Sequence, residues 1–192
     1  FFLLFGLVML SSASAPVGYS RFGDTYYFVK RQLLFGLLPG LILFIIFSHI
    51  NYNLIKKFAS IFFLLAIIIL ILVFFPGIGL VINGSKSWLN ILGYTFQPSE
   101  FAKLAVIIML AKLLAECENL VNWKTDLLPV LGIISPVIFL VLFQPDIGTL
   151  SILVVTIFVM LYIGGAKKMQ LAVLGLLGIG GMVLLLLAAP YR

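Results

Sequence analysis

Long stretches without a charged residue constrain the fold of this chain more than any other feature. Phe58 to Phe75 holds 18 consecutive uncharged residues, Ile147 to Ala166 holds 20, and Met169 to Tyr191 is uncharged throughout. A helix needs about 20 predominantly apolar residues to cross the hydrocarbon core of a bilayer. Because backbone polar groups in lipid must be satisfied internally, such segments form helices. The sequence therefore predicts an all-α, polytopic membrane protein.

The composition supports this class. Hydrophobic residues make up 64% of the chain and charged residues only 9%, whereas soluble domains are about 45–50% apolar and about 25% charged. The net charge of +6 indicates contact with anionic lipid surfaces or substrates. No Lys/Arg-rich run supports binding of nucleic acid. The single cysteine, Cys117, excludes an internal disulfide.

The apolar runs predict a bundle of about seven transmembrane helices, the first incomplete, in one integral-membrane domain over residues 1–192. We expect the chain to be truncated at both ends; a cleaved signal segment is the alternative interpretation of its first residues. Pro39 predicts a bend in the second helix. The predicted helices are Phe1 to Leu10, Leu33 to Phe47, Phe58 to Phe75, Pro98 to Ala115, Leu127 to Phe143, Ile147 to Ala166 and Met169 to Tyr191, and the main polar loops are Pro16 to Lys30 and Asn83 to Gln97.

Asn83 to Lys103 is the longest polar interruption, and it ends at the start of an apolar helix. Pro98 suits the first turn of that helix, where its missing N–H is no loss. Glu100 and Lys103 are three residues apart, so they project from one face. Charges at this depth are costly unless paired or hydrated, which makes them a functional-site hypothesis. The alternative is that Glu100 only complements the helix dipole and Lys103 extends to the lipid headgroups.

The tripeptide Phe96-Gln97-Pro98 recurs as Phe143-Gln144-Pro145. Helix counting places both copies on one side of the membrane, together with Lys86, so these segments are predicted to converge on an outward-facing cavity. Asp146 follows the second copy; it is predicted to cap the next helix, to face the cavity, or both. Lys86 could equally be an exposed loop lysine, and Trp88 is interpreted as an interface residue rather than a sugar-stacking platform.

A cationic, amide-lined cavity near one membrane surface suits a lipid-linked diphosphate sugar. Lysine attracts phosphate as a point charge, and amides donate to and accept from sugar hydroxyls. We predict no metal ligand. The candidate substrate-binding residues are Lys86, Gln97, Ser99, Glu100, Lys103, Gln144 and Asp146.

The motifs GSKSW, FQPSEFAK and FQPDIGT, in this order, resemble the SEDS family of bacteria, the FtsW/RodA/SpoVE proteins. SSASAP and YYFVKRQLL near the start fit the same order, and with GDTYYFVKRQ they resemble the FtsW branch. One position departs from the pattern. Many members have arginine where this chain has Ser87, so a second phosphate contact expected there is missing.

The resemblance implies a peptidoglycan glycosyltransferase that polymerises lipid II into glycan strands during cell division or elongation. It implies a general-base aspartate in a large extracellular loop after the seventh helix, which would lie beyond Arg192. No cofactor is certain, and a divalent metal is possible. The implied partners are lipid II, a class B penicillin-binding protein and membrane lipid, with no nucleic acid, and the implied location is the bacterial cytoplasmic (inner) membrane. A lipid II flippase and a non-catalytic scaffold of the division machinery are the alternatives.

The Lys/Arg bias across the membrane does not decide the orientation. The two sides hold six cations each: Lys56, Lys57, Lys112, Lys124, Lys167 and Lys168 on one, and Arg21, Lys30, Arg31, Lys86, Lys103 and Arg192 on the other. The paired lysines in tight hairpins favour a cytoplasmic location for the first set, as does the family topology.

This orientation predicts that Cys117 is cytoplasmic. A membrane-impermeant maleimide applied to intact cells should leave Cys117 unmodified. Ready labelling from outside would overturn both the orientation and the outward-facing cavity.

Overall fold

The computed structural model describes residues 1–82, 85–91, 94–117 and 122–188. It divides into two compact units, Phe1–Asn51 and Tyr52–Arg192. The expectation of a single domain over the whole chain stays a prediction.

The first unit consists of two helices, α1 (Phe2–Phe22) and α2 (Tyr27–His49). The predicted polar loop Pro16 to Lys30 was too long, because α1 continues through Pro16 and ends at Gly23, whose φ of 68° is left-handed. The short connection that remains is held by Asp24, which accepts hydrogen bonds from the Lys30 ammonium at 2.7 Å and the Tyr26 N–H at 2.9 Å. These bonds, the one from Lys30 foremost, hold the pKa of Asp24 below its usual range.

The described part of the second unit contains five helices: α3 (Tyr52–Leu72), α4 (Pro98–Glu116), α5 (Trp123–Phe143), α6 (Ile147–Ile163) and α7 (Lys168–Ala188). Small side chains line the contact between α3 and α4. Ala59 and Ala66 of α3 and Ala102 and Ala105 of α4 are all buried in one apolar cluster. Small residues let helix backbones approach closely in a membrane, so these alanines set the distance between the two helices.

Two π-helical turns interrupt otherwise regular helices, at Leu33–Leu37 of α2 and Trp123–Leu127 of α5. Each lies directly before a Leu-Pro dipeptide, with the prolines at Pro39 and Pro129. A proline ring crowds the carbonyl four residues earlier and cannot donate to it, and a wider turn at that carbonyl relieves the contact. The bend predicted at Pro39 stays a prediction; the structure shows a π turn just before this proline.

A three-stranded antiparallel sheet lies between α3 and α4 in the chain: β1 (Gly79–Ile82), β2 (Ser85–Ile91) and β3 (Tyr94–Phe96), in the order β1-β2-β3. The interpretation of Asn83 to Gln97 as a loop was wrong, because most of this stretch pairs as strands. Trp88 opposes Leu80, and Leu89 opposes Phe96. Asn83, Gly84, Leu92 and Gly93 lie outside the described residues.

Four helices of the described residues, α1, α2, α3 and α5, are long and apolar enough to cross a membrane. The helix α6 and the Lys168–Gly181 part of α7 are shorter apolar segments, and α4 carries charges near both ends. The prediction of a polytopic helical membrane protein is confirmed. The small sheet is an addition to that fold and does not replace any predicted span.

The alanine contact between α3 and α4 generates a stability prediction. Replacing buried Ala105 by leucine should overfill the helix interface and lower the free energy of unfolding by about 1–3 kcal/mol. Ala111 of the same helix is exposed, so Ala111→Leu is the matched control and should have little effect. The measurement is the thermal unfolding of the full-length protein in detergent; equal midpoints for the two variants would contradict the packing described.

Candidate functional site

The first Phe-Gln-Pro segment connects the sheet to α4. Phe96 ends β3, Gln97 has an extended backbone with φ −101° and ψ 106°, and Pro98 opens the helix. An extended residue before proline is the conformation that the proline ring favours. Pro98 and Ser99 are buried, and the Ser99 hydroxyl has no hydrogen-bond partner among the described residues. The segment therefore presents an amide, at Gln97, where the helix begins.

Glu100 and Lys103 form an ion pair on the first turns of α4. The Lys103 ammonium lies 2.8 Å from Glu100 Oε1, so the prediction that the two residues share a helix face is confirmed. Their exposure is unequal, since 58% of the Glu100 side chain is exposed but only 20% of that of Lys103. A surface pair at this spacing contributes about 0.2–0.5 kcal/mol to a helix. This small contribution to helix stability does not by itself explain why the ion pair occurs at this position.

Asp146 caps α6 and is bound to the first segment. Its Oδ1 accepts the Thr149 backbone N–H at 3.1 Å, which confirms the predicted helix cap. Its Oδ2 accepts from the Gln97 side-chain amide at 2.9 Å and from the Thr149 hydroxyl at 2.7 Å. The two Phe-Gln-Pro segments, far apart in the chain, are therefore connected by a direct hydrogen bond to a carboxylate.

Gln144 is fully buried and serves two neighbours. Its side-chain amide donates to the Leu70 carbonyl at 3.2 Å, near the end of α3, where helix carbonyls lack internal partners. Its backbone carbonyl accepts from the Ser85 hydroxyl of β2 at 2.7 Å. The side-chain Oε1 has no partner among the described residues. Gln144 thus connects α3, the sheet and the turn before α6.

Lys86 follows Ser85 on β2, and its ammonium donates to the Phe74 carbonyl at 3.1 Å. Gly79 makes room for this side chain: a Cβ there would overlap the Val73 carbonyl oxygen and come within 2.8 Å of Lys86 Cε. The neighbouring Ser87 is buried. It lies 3.0 Å, oxygen to oxygen, from the Ser85 hydroxyl, so the residue that departs from the family pattern has a structural contact here.

The structure joins the predicted residues into local groups. Gln97 and Asp146 form one group, Glu100 and Lys103 a second, and Gln144 contacts the residue next to Lys86. Within the described ranges, no hydrogen bond or ion pair links Lys86 or the Glu100–Lys103 pair to Asp146. One cavity lined by all seven residues therefore stays a prediction.

Sequence reasoning missed Thr149 and Ser85. Thr149 binds Asp146 through both its N–H and its hydroxyl, and it lies 3.5 Å from the Gln97 amide nitrogen. Its position three residues after a helix cap was a usable signal, because that is the residue whose N–H a cap accepts. Ser85 had no such signal, since its partner is on another element.

The residues that the structure describes contain no group of three or more His, Cys, Asp or Glu side chains placed to hold a metal ion.

A family model described as cell cycle protein, the FtsW/RodA/SpoVE model, matches residues 1–192. The chain belongs to the FtsW/RodA/SpoVE family. Its similarity to stage V sporulation protein E of Bacillus subtilis (strain 168) is 39% identity over 99% of this chain and 52% of that protein. It is also 34% identical to the probable peptidoglycan glycosyltransferase FtsW of Geobacter sp. (strain M18), over 98% of this chain and 51% of that protein.

Solved structures of the FtsW/RodA/SpoVE family share the fold. The rod shape determining protein RodA of Thermus thermophilus superposes with a TM-score of 0.69 at 28% identity, covering 94% of this chain and 58% of that one. A chain from the structure titled "Structural coordination of polymerization and crosslinking by a peptidoglycan synthase complex" superposes with a TM-score of 0.69 at 26% identity. The match covers 98% of this chain and 60% of that one. The chain spans about half the length of the curated relatives it matches, and assignment to the FtsW branch stays a prediction.

The cap on α6 predicts a graded response to substitution at Asp146. Asp146→Ala removes the acceptor for Thr149 and should lower the free energy of unfolding by about 1 kcal/mol. Asp146→Asn should cost less, because asparagine caps about as well and loses only the second acceptor oxygen, which faces the Gln97 amide. Thermal unfolding of the full-length protein in detergent measures both variants. An asparagine variant as unstable as the alanine variant would show that the carboxylate's charge, rather than the cap, stabilises the helix start.

Proposed function

We propose that the full-length protein containing this chain is a peptidoglycan glycosyltransferase that polymerises lipid II into glycan strands. The observation that carries the proposal is the hydrogen bond between Gln97 and Asp146, which joins the two Phe-Gln-Pro segments. Two polar helix starts held together at one end of a membrane protein make a suitable place for the polar part of a lipid-linked substrate. The proposal is supported by relatives that are named probable peptidoglycan glycosyltransferases.

The lysines are assigned to the substrate diphosphate. Only 20% of the Lys103 side chain is exposed, and its ammonium is paired with the more exposed Glu100. An ammonium has three donors, so a phosphate oxygen can be added without breaking this pair. Lys86 donates one hydrogen bond to a backbone carbonyl just after α3, so it also has donors left for a phosphate oxygen. Both residues bind the donor substrate in this proposal.

The amide, hydroxyl and carboxylate groups are assigned to the sugar and to its position. Gln97 and Asp146 are hydrogen-bonded across the two helix starts, and the buried Ser99 hydroxyl has no partner among the described residues. The Gln144 amide nitrogen is already used by Leu70. We therefore assign Gln144 a positioning role, in which it holds the turn that carries Asp146. Its side-chain Oε1, which has no partner among the described residues, can still accept a hydrogen bond.

In the proposed reaction, an acceptor sugar hydroxyl attacks C1 of the donor and expels the lipid diphosphate with inversion. The base expected from the family resemblance is an aspartate beyond Arg192, so the residues of this chain contribute binding and orientation. Fixing two reactants in the correct geometry can supply a large part of a rate enhancement. We place this protein in the bacterial cytoplasmic membrane with a class B penicillin-binding protein, as supported by similarity to a chain studied in a peptidoglycan synthase complex.

The ion pair provides the first test. Glu100→Ala leaves the partly covered Lys103 without its carboxylate, and Lys103→Ala removes the proposed phosphate contact. Either change in the full-length protein should reduce polymerisation of purified lipid II by about tenfold or more, the effect of losing one charged hydrogen bond, and should abolish complementation. Lys168→Ala, at an exposed lysine of α7, is the control and should be active.

Normal growth with Glu100→Ala or Lys103→Ala would show that the pair is a surface ion pair without a role in substrate binding. Asp146→Asn should also lower the polymerisation rate while the protein stays folded, and a wild-type rate would leave Asp146 as a helix cap. Lipid II that moves between leaflets without being polymerised by the wild-type protein would favour the flippase alternative.

A further inference from the structure

A second polar cluster lies at the opposite end of the α3–α4 helix pair from the Phe-Gln-Pro segments. The Lys112 ammonium of α4 donates to the Ser60 hydroxyl of α3 at 2.9 Å. The Lys56 ammonium of α3 lies 3.5 Å from Glu116 Oε1 of α4. Both contacts cross between helices, although Lys112 and Glu116 have the four-residue spacing that would allow them to pair along α4.

The two contacts form successive rungs between antiparallel helices. Lys56 and Ser60 are four residues apart on α3, and Lys112 and Glu116 are four apart on α4. Four residues of helix rise about 6 Å, so the two rungs are about one turn apart. Each rung contributes one ammonium, from Lys56 and from Lys112. The two cations therefore come from opposite helices, on rungs about one helical turn apart.

Within the part of the chain that the structure describes, the cluster has an excess of positive charge. Its described residues include two ammonium groups, of Lys56 and Lys112, and one carboxylate, which pairs with Lys56, while the partner of Lys112 is a neutral hydroxyl. Among the described residues Lys112 makes no ion pair, and it uses one of its three donors on Ser60. Lys57, exposed and adjacent to Lys56, adds further positive charge. A cation on a membrane helix is costly without an anion or water beside it, so the cluster is suited to an anionic ligand.

An exposed apolar stripe runs from this cluster along α3. Leu64, Ile68 and Ile71 follow Ser60 at spacings of four, four and three residues, which places them on one helix face. All three side chains are exposed in the structure. The ligand that matches a cationic cluster continued by an apolar stripe has an anionic head and a hydrocarbon tail.

We propose that Lys56 and Lys112 bind the phosphodiester headgroup of an anionic glycerophospholipid, with an acyl chain lying along Leu64, Ile68 and Ile71. This site is separate from the proposed substrate site, since it lies at the C-terminal end of α4 and the N-terminal part of α3. It fixes the depth of the helix pair in the bilayer through the headgroup. It also makes occupancy depend on the charge of the surrounding lipid.

The test measures lipid retention by the full-length protein purified in detergent. The protein is titrated with phosphatidylglycerol and with zwitterionic phosphatidylcholine, and bound lipid is counted by native mass spectrometry. We expect phosphatidylglycerol to bind in preference. Lys112→Gln and Lys56→Gln should each weaken its binding about fivefold, the contribution of one cation near an anionic lipid. Lys112→Arg keeps the charge and should retain the preference.

Lys168→Gln is the matched control, because it removes an exposed lysine outside the cluster, and it should bind phosphatidylglycerol as the wild type does. Lys56 is half exposed, so its variant tests the site even if Lys112→Gln fails to fold. Equal binding by the two glutamine variants and the control would overturn the proposal. So would equal retention of the two lipids, or displacement of phosphatidylglycerol by inorganic phosphate, which would assign the cluster to a free anion.

Discussion

The carboxylate of Asp146 is the point on which the arrangement of the second unit depends most directly. It accepts from the Thr149 backbone and hydroxyl within its own helix and from the Gln97 amide at the start of α4. The first four N–H groups of a helix have no internal partner, and in a membrane this deficit must be met by side chains or water. The Asp146 carboxylate satisfies one of these N–H groups of α6. It also holds the residue that precedes α4. The helix starts are thereby positioned relative to each other by charge-assisted hydrogen bonds.

The turn between α5 and α6 extends this connection to the rest of the unit. Gln144, two residues before Asp146, reaches the end of α3 through its side chain and the sheet through its backbone carbonyl. Because Ser85 is next to Lys86, the position of that lysine depends on the same turn. The proposed site is built from residues of α4, of β2 and of the segments just before α4 and α6. The contacts that hold it join side chains both to backbone atoms and to other side chains. Its geometry therefore depends on the backbone path as much as on the residue types.

The sequence was sufficient for the features that depend on local spacing. Uncharged runs identified the membrane helices, a three-residue spacing identified the Glu100–Lys103 pair, and the residue type of Asp146 identified the cap. Helix counting also placed Gln97 and Asp146 on one side, and the structure shows them bonded. The strands were missed because the dipeptide Asn83-Gly84, which favours a tight hairpin between strands, was interpreted as part of a polar loop. The contact of Gln144 with Leu70 spans 74 residues and depends on how α3 lies against α5, which no local pattern specifies.

The π turn at Leu33–Leu37 changes how sequences of this family can be compared. Such a turn accommodates one extra residue within a helix, so side chains on the same face of α2 are one residue further apart across it than elsewhere. A relative whose second helix is regular would therefore align to this chain with a one-residue gap inside a transmembrane segment, where insertions are otherwise not expected. An alignment that forbids gaps in helices would shift every later position of α2 by about 100° around its axis, and would pair lipid-facing residues with residues that face the protein.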